Sequence, residues 1–263
     1  MKLFALGASK NIGYFTTRHY LAAGHTVIFL LRSTTVFDDD ETMKPYIQSN
    51  KAILVKGDGL VKSDVTNAWN KANEGGPVDL ILSTIGAPIK FQFPRGFVIT
   101  PPDLTTRCMF NLLQVVAESR PSPFPRMIAI SSTGITKASH DALPVTMRLM
   151  YNVLLPAPHA DKLGLERLLQ YAMGRRWEEN AEPEDSILPK GWEDSLPPAG
   201  FMPDIVVVRP AFLTDGEAKH EYKVSPDEYA SYVISRKDVA HFIGERLLTE
   251  WSTWSGKIVN LGY

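Results

Sequence analysis

The stretch MKLFALGASKNIGYFTTRHYLAAGHTVIFLLR, residues 1–32, constrains this chain more than any other. Lys2 to Leu6 reads as a short apolar strand, and Gly7-Ala8-Ser9-Lys10-Asn11-Ile12-Gly13 reads as a turn. A helix follows to about Ala23, and Thr26 to Leu31 is a second apolar strand. Strand, glycine turn, helix and strand in that order meet the structural condition for holding a dinucleotide. Gly7 permits a tight exit from the strand, and Gly13 lets the helix approach the sheet closely. The backbone from Ser9 to Ile12 then opens a helix whose first N–H groups are free to face a pyrophosphate. Lys10 and Asn11 stand where a middle glycine is common. Asn readily accepts a left-handed backbone, so the turn can still close. The competing reading of such a glycine pair is a turn that holds no phosphate.

Composition narrows the class. A hydrophobic fraction of 44% and a charged fraction of 22% are those of a globular chain. A formal net charge of -1 argues against a broad nucleic-acid footprint. The single cysteine, Cys108, excludes an internal disulfide and suits a reducing compartment. The start of the chain is not a secretory signal, and no run of eighteen apolar residues offers a membrane span. A soluble cytoplasmic protein that contacts neither nucleic acid nor membrane is expected.

The alternation of strand and helix continues. Lys51–Lys56, Val78–Ser83, Arg126–Ser131 and Asp204–Arg209 read as further strands, and Lys257–Leu261 as a last short one. Their continuous apolar runs suit parallel strands covered on both faces. Helices are expected at Val61–Asn73, Leu104–Ser119, Thr146–Leu155 and His159–Met173, with Pro156 and Pro158 breaking the last two apart. Residues 174–203, rich in Pro, Glu, Asp and Trp, read as an irregular surface excursion hiding a short helix or hairpin. Tyr222–Val224 and Tyr232–Ile234 are expected to pair as a ribbon, and Asp238 to cap a helix over Val239–Leu248. The fold class is α/β, with residues 1–263 forming one doubly wound parallel sheet. Loops at the carboxyl ends of its strands converge on one crevice. Substrate-facing material would come from parts of 86–103, 134–160 and 174–256.

Several residues at these strand ends carry candidate chemistry. Arg32 ends the second strand, where an NAD-selective site would hold a carboxylate. With Lys10 it can bind a 2′-phosphate, so NADP(H) is the expected cofactor. The competing reading is two solvated cations. Asp58 either accepts from the adenine amino group or only forms a turn. Ser83, Thr84 and Gly86 end the fourth strand, where small residues suit a nearby cofactor. Ser131, Ser132 and Thr133 end the fifth, where hydroxyls touch substrate or ribose, or satisfy loop N–H groups. Phe91, Phe93 and Phe97 line an apolar pocket or anchor a loop. No metal site is expected.

Taken together, GASKNIG, LLRS, GD, STIG, ISSTG, HADKLGLERLL, VVVRPAFLTDG and SRKDVAHFI resemble the atypical short-chain dehydrogenase/reductase superfamily. The NmrA-like, NAD(P)H-binding reductase-like branch is the nearest part of it, and the resemblance spans almost all of the chain except about 174–203. It implies a Rossmann fold with a small C-terminal substrate region. It also implies a Ser/Thr–Tyr–Lys arrangement for the proton, with a nicotinamide carrying the hydride. Lys162 resembles the family's lysine, Ser132 or Thr133 its hydroxyl, and Arg209-Pro210 its sixth-strand ending beside the nicotinamide. The position four before Lys162, where the family places its tyrosine, is Pro158. His159 and Tyr151 are the local substitutes for proton transfer; capping and core packing are their structural alternatives.

Three functions follow from the resemblance. The first is an NADPH-dependent reductase of a small to medium, partly apolar carbonyl or conjugated substrate. The second is a non-catalytic NADP(H)-binding redox sensor that reports to a protein partner. The third is a sugar-nucleotide epimerase, ranked last because the tyrosine base is displaced. A small-molecule substrate is the expected partner, with a protein or a second copy of the chain as a further one.

Overall fold

The structure is a computed structural model that describes residues 1–86, 90–93, 96–177 and 182–263. Parts of the expected substrate region, at 87–89, 94–95 and 178–181, therefore lie outside the described residues. In chain order the first half runs β1 (Lys2–Leu6), α1 (Asn11–Ala22), β2 (Thr26–Leu31), α2 (Lys44–Gln48), β3 (Ala52–Lys56), α3 (Lys62–Asn73) and β4 (Leu80–Ser83). A small hairpin of β5 (Lys90–Gln92) and β6 (Gly96–Val98) follows, then α4 (Leu104–Ser119) and β7 (Arg126–Ile130). Three consecutive helices come next: α5 (Lys137–Ala142), α6 (Val145–Leu154) and α7 (Pro156–Met173). The chain continues through β8 (Ile205–Pro210), β9 (Phe212–Thr214), β10 (Lys223–Ser225), β11 (Val233–Ser235), α8 (Arg236–His241), α9 (Trp251–Trp254) and β12 (Ile258–Gly262).

Eight strands form one sheet in the order β10-β12-β8-β7-β4-β1-β2-β3, parallel throughout except where β10 runs against β12. This is a Rossmann-like α/β fold. β1 pairs with β2 on one side and β4 on the other, so the chain reverses its direction of travel across the sheet there. Side chains alternate in β1: Leu3 and Ala5 enter a core shared with α1 and α8. Phe4 and Leu6 enter the opposite core, shared with α3, α4 and α7. A central strand with no polar residue between Leu3 and Leu6 is what burial on both faces demands.

Strand positions agree with the sequence pattern to within about two residues, and several local expectations change. Two helices do meet at the prolines, α6 ending at Leu154, but the second starts three residues before His159. Pro156 is the first residue of α7 and Pro158 lies in its first turn, where a missing N–H costs no intrahelical bond. The expected ribbon does not form: β10 pairs antiparallel with β12, and β11 pairs parallel with β9. Ser235, not Asp238, is the N-cap of α8, accepting from the Asp238 N–H. Residues 182–203 contribute Leu188, Trp192 and Met202 to the core beneath α4 and α7, and Trp192 meets Tyr171 edge-on at 4.9 Å. The segment is held by burying these large side chains, despite its polar composition.

Candidate active site

The glycine turn has the geometry its residues suggest. Gly7 has φ +73° and Asn11 φ +55°. A Cβ on Gly7 would stand 2.6 Å from the Ile85 backbone nitrogen, and one on Gly13 2.2 Å from the Thr84 hydroxyl. Both glycines are thus required by the approach of the turn to the end of β4. Lys10 precedes α1 in extended conformation, and no side chain caps the helix. Its first-turn N–H groups are directed past the carboxyl end of β1, a ready anion site. Ser9 is half-buried in this turn, and Ile12 is buried beneath it.

Beyond the ends of β2 and β3 lies a pocket of about 380 Å³ lined by Arg32, Lys56, Gly57, Asp58 and Asp64. Lys56 is brought there by strand register, which sets it beside Leu31. Lys10, Arg32 and Lys56 are exposed, and none has an ion-pair partner among the described residues. The two carboxylates are engaged locally. Asp58 Oδ1 accepts from the Leu60 N–H at 2.9 Å, and Asp64 Oδ2 from the Asp58 N–H at 2.9 Å. For Asp58 the turn-forming role is the one the structure displays. Cys108 packs under Gly59, with its thiol pushed up to about 12 by burial, so it stays protonated.

At the ends of β4 and β7, Lys162 donates to the carbonyl of Ile130 at 2.8 Å and to that of Ile85 at 3.2 Å. Burial lowers its ammonium to about 8, with Asp161 and Glu166 acting in the opposite sense. The helix that carries it is fixed by its neighbour. Asp161, fully buried, accepts from the N–H groups of Thr105 and Thr106, both at 2.9 Å, at the start of α4. Gly164 lets the helices close, since a Cβ there would meet the Thr106 hydroxyl at 2.5 Å. Buried Glu166 grips Arg209 through two hydrogen bonds, and Glu228 takes a third. The pair of buried charges pins α7 to β8.

The hydroxyls after β7 divide their roles. Ser131 is buried with its hydroxyl unpartnered, and Ser132 donates to the Thr133 carbonyl at 3.1 Å. Thr133 donates to the Pro210 carbonyl at 3.3 Å and stands beside the Tyr151 phenol. Ser83 is buried and Thr84 ties back to the Leu6 carbonyl at 3.2 Å. Gly86 meets no neighbour with an added Cβ, so packing does not demand its small size.

Next to these hydroxyls is a pocket of about 280 Å³ whose wall includes Gly134, His140, Tyr151 and His159. Tyr151 is buried, and its ring meets that of His159 edge-on at 5.2 Å. Burial raises the Tyr151 phenol above its ordinary value, partly offset by the Thr133 hydroxyl. Burial, helped by nearby His140, lowers His159 to about 4. The sequence reading missed His140, Lys56 and Asp161. Phe91 and Phe93 point outward, 59% and 89% exposed, and line neither of these pockets, while Phe97 meets Phe91 at 5.8 Å. Among the described residues no group of three or more acidic, His or Cys side chains is placed to hold a metal ion. No described helix is long and apolar enough to cross a membrane.

No family model matches the chain. Among solved structures, ChuY, an anaerobillin reductase from Escherichia coli O157:H7, superposes with a TM-score of 0.63 at 19% identity, covering 100% of this chain and 97% of that one. The oxidoreductase ylbE from Lactococcus lactis gives 0.61 at 16% identity, over 100% and 90%. These share the fold. Reductase pytE from Aspergillus terreus is 30% identical over 197 residues, which span 70% of this chain and 67% of the relative. By that relationship the chain belongs to the family of reductase pytE, an oxidoreductase family on an NAD(P)-binding, short-chain dehydrogenase/reductase-like Rossmann fold.

Proposed function

We propose that the chain is an NADPH-dependent reductase of a small to medium, partly apolar carbonyl or conjugated substrate. The observation that carries this reading is the placement of Lys162. Its ammonium is held between the carbonyls of Ile85 and Ile130, at the ends of two neighbouring central strands. The pocket lined by Tyr151 and by His159, one turn before Lys162 on the same helix, includes Gly134, the residue after Thr133. Gly7 and Gly13 let the turn lie against the end of β4, and the uncapped start of α1 would supply donors to a pyrophosphate. Arg32 and Lys10, with Lys56, would hold a 2′-phosphate. A reduced nicotinamide supplies the hydride. Lys162 keeps a third N–H for ribose hydroxyls and favours negative charge developing on a nearby substrate oxygen.

Between the two candidate acids, the geometry supports Tyr151. A phenol raised by burial is fully protonated at neutral pH, and a turn of the Thr133 hydroxyl away from the Pro210 carbonyl would let it donate to the phenolate left after transfer. His159, lowered to about 4, carries no second proton to give at that pH and instead positions the Tyr151 ring. Ser132 and Thr133 both donate to backbone carbonyls, and Thr133, which stands beside the Tyr151 phenol, takes the hydroxyl role in this reading.

The test is NADPH oxidation against a panel of aldehydes, quinones and enones, with wild type and Tyr151→Phe compared. Loss of general acid catalysis should lower kcat by about 10²–10⁴-fold while NADPH still binds. An undiminished rate in Tyr151→Phe would remove Tyr151 from the mechanism. Tight binding of both cofactor forms without turnover of any substrate would instead support the non-catalytic sensor.

A further inference from the structure

Five of the ten large apolar side chains exposed among the described residues fall in two short segments. Val145, Leu149 and Val153, 64–67% exposed, recur every four residues along α6 and so share one helical face. Thr146 and Asn152, both exposed, complete that face, and it holds no charged residue. A surface helix ordinarily turns its apolar stripe to the core and its charges to water. Here Tyr151 points inward and the aliphatic stripe points out. Phe91 and Phe93 are exposed on β5 and just after it. Their hairpin rests on the end of the same helix, where a Cβ on Gly96 would meet the Val153 carbonyl. Apolar side chains gathered in this way mark an interaction surface.

Charge decides what covers it. Residues 90–93, 96–102 and 142–160 contain no carboxylate, although the chain carries 29; their charges are those of Lys90 and Arg148. Lys90 is exposed and has no ion-pair partner among the described residues. Two copies of this surface related by a twofold axis would bring two basic rims together with no acid to pair them. A layer that is anionic at its surface and apolar beneath complements both features. We propose that α6 and the hairpin dock the protein on an anionic lipid surface, with Phe91, Phe93 and Leu149 entering the apolar boundary and Lys90 among the headgroups. No spanning helix is needed, because a helix lying in the interface requires one apolar face and not a continuous apolar run. Asn152 belongs both to the outward face of α6 and to the wall of the pocket beside Tyr151. On the reductase reading, the docked protein would take an apolar carbonyl substrate dissolved in the lipid. The docking itself does not depend on that reading.

Co-sedimentation of the full chain with vesicles tests this, using phosphatidylcholine alone and phosphatidylcholine mixed with phosphatidylserine. The chain should bind the mixed vesicles more tightly than the neutral ones, and less as salt is raised. Phe93→Ser and Leu149→Ser should each weaken binding by about ten-fold or more, the loss of one large apolar side chain from the lipid. Lys90→Gln should weaken binding to the mixed vesicles alone, by about five-fold. All three positions are exposed, so the variants should keep the wild-type melting temperature. Failure of the wild type to sediment with either vesicle overturns the proposal, as does binding that none of the substitutions moves. Light scattering that shows a dimer, split by Leu149→Ser, would place a second copy on this face and overturn it as well. NADPH oxidation is read separately: sedimentation without turnover of any carbonyl keeps the docking and sinks the reductase reading. Turnover without sedimentation does the reverse.

Discussion

Two cations line the pocket at the ends of β2 and β3, a third stands in the glycine turn, and none has an ion-pair partner among the described residues. Lys10, Arg32 and Lys56 are solvated, so their value lies in what binds them, since exposed charges add little to stability. Arg32→Ala should therefore weaken NADPH binding by about 10–150-fold, the loss of one charged hydrogen-bond partner, while NADH affinity stays near wild type. Fluorescence titration of both cofactors is the measurement; an unchanged NADPH-to-NADH ratio would refute selection by Arg32. Arg32 and Lys10 were legible in the sequence, because the apolar runs fix where β2 ends and the glycines fix where α1 begins. Lys56 was not, because its nearness to Arg32 depends on the pairing register of β2 with β3. Tyr151 and His159 could be named but not ranked. The ranking follows from their packing and from the different effects of burial on a phenol and an imidazole.

At the scale of elements, α7 is the part on which the site depends. Its sequence sets the helix start near His159, after two prolines, and shows no partner for Asp161. The structure starts the helix at Pro156 and buries Asp161. Proline is at home in a first turn, and Asp161 is buried because it meets the free N–H groups of α4, 55 residues away in the chain. No local pattern signals such a partner. Asp161→Asn keeps the shape but leaves one accepting oxygen and sets an NH₂ against the other backbone N–H, so it should cost about 1.5–3 kcal/mol in urea unfolding. NADPH affinity should fall as well, because Lys162 is the next residue. Wild-type values for both would show that the Asp161 contacts do not set the helix. The hairpin after β4 is bound to the same neighbourhood: a Cβ on Gly96 would stand 2.4 Å from the Val153 carbonyl of α6.

Across the whole molecule, the parallel sheet was foreshadowed by continuous apolar runs, but not the order of its strands. The C-terminal pairings were not, because β9 to β12 are short and their partners are set by tertiary placement. The buried imidazole of His159 gives the folded state an acid sensitivity. Its folded value, about 4, lies below the ordinary 6.5, so the unfolded chain binds the proton more readily. Stability is complete above about 6.5 and falls as pH drops towards 4. The full loss from this one group is about 3 kcal/mol. Urea unfolding at neutral pH and near pH 4.5 should show a smaller acid loss in His159→Gln than in wild type. Equal losses would mean that this imidazole is not what the acid acts on.

Ile85 touches all three parts of the crevice. Its backbone lies against Gly7, its carbonyl accepts from Lys162, and its side chain reaches the space beside Gly59 at 3.6 Å from an added Cβ. A residue shared in this way makes two binding events one thermodynamic system. A cofactor on the glycine turn would restrain Ile85, and with it the lysine whose ammonium it holds. By linkage the effect runs equally in both directions: the factor by which bound cofactor tightens substrate is the factor by which substrate tightens cofactor. With both ligands bound, Ile85 would be the contact through which each affinity becomes a function of the other.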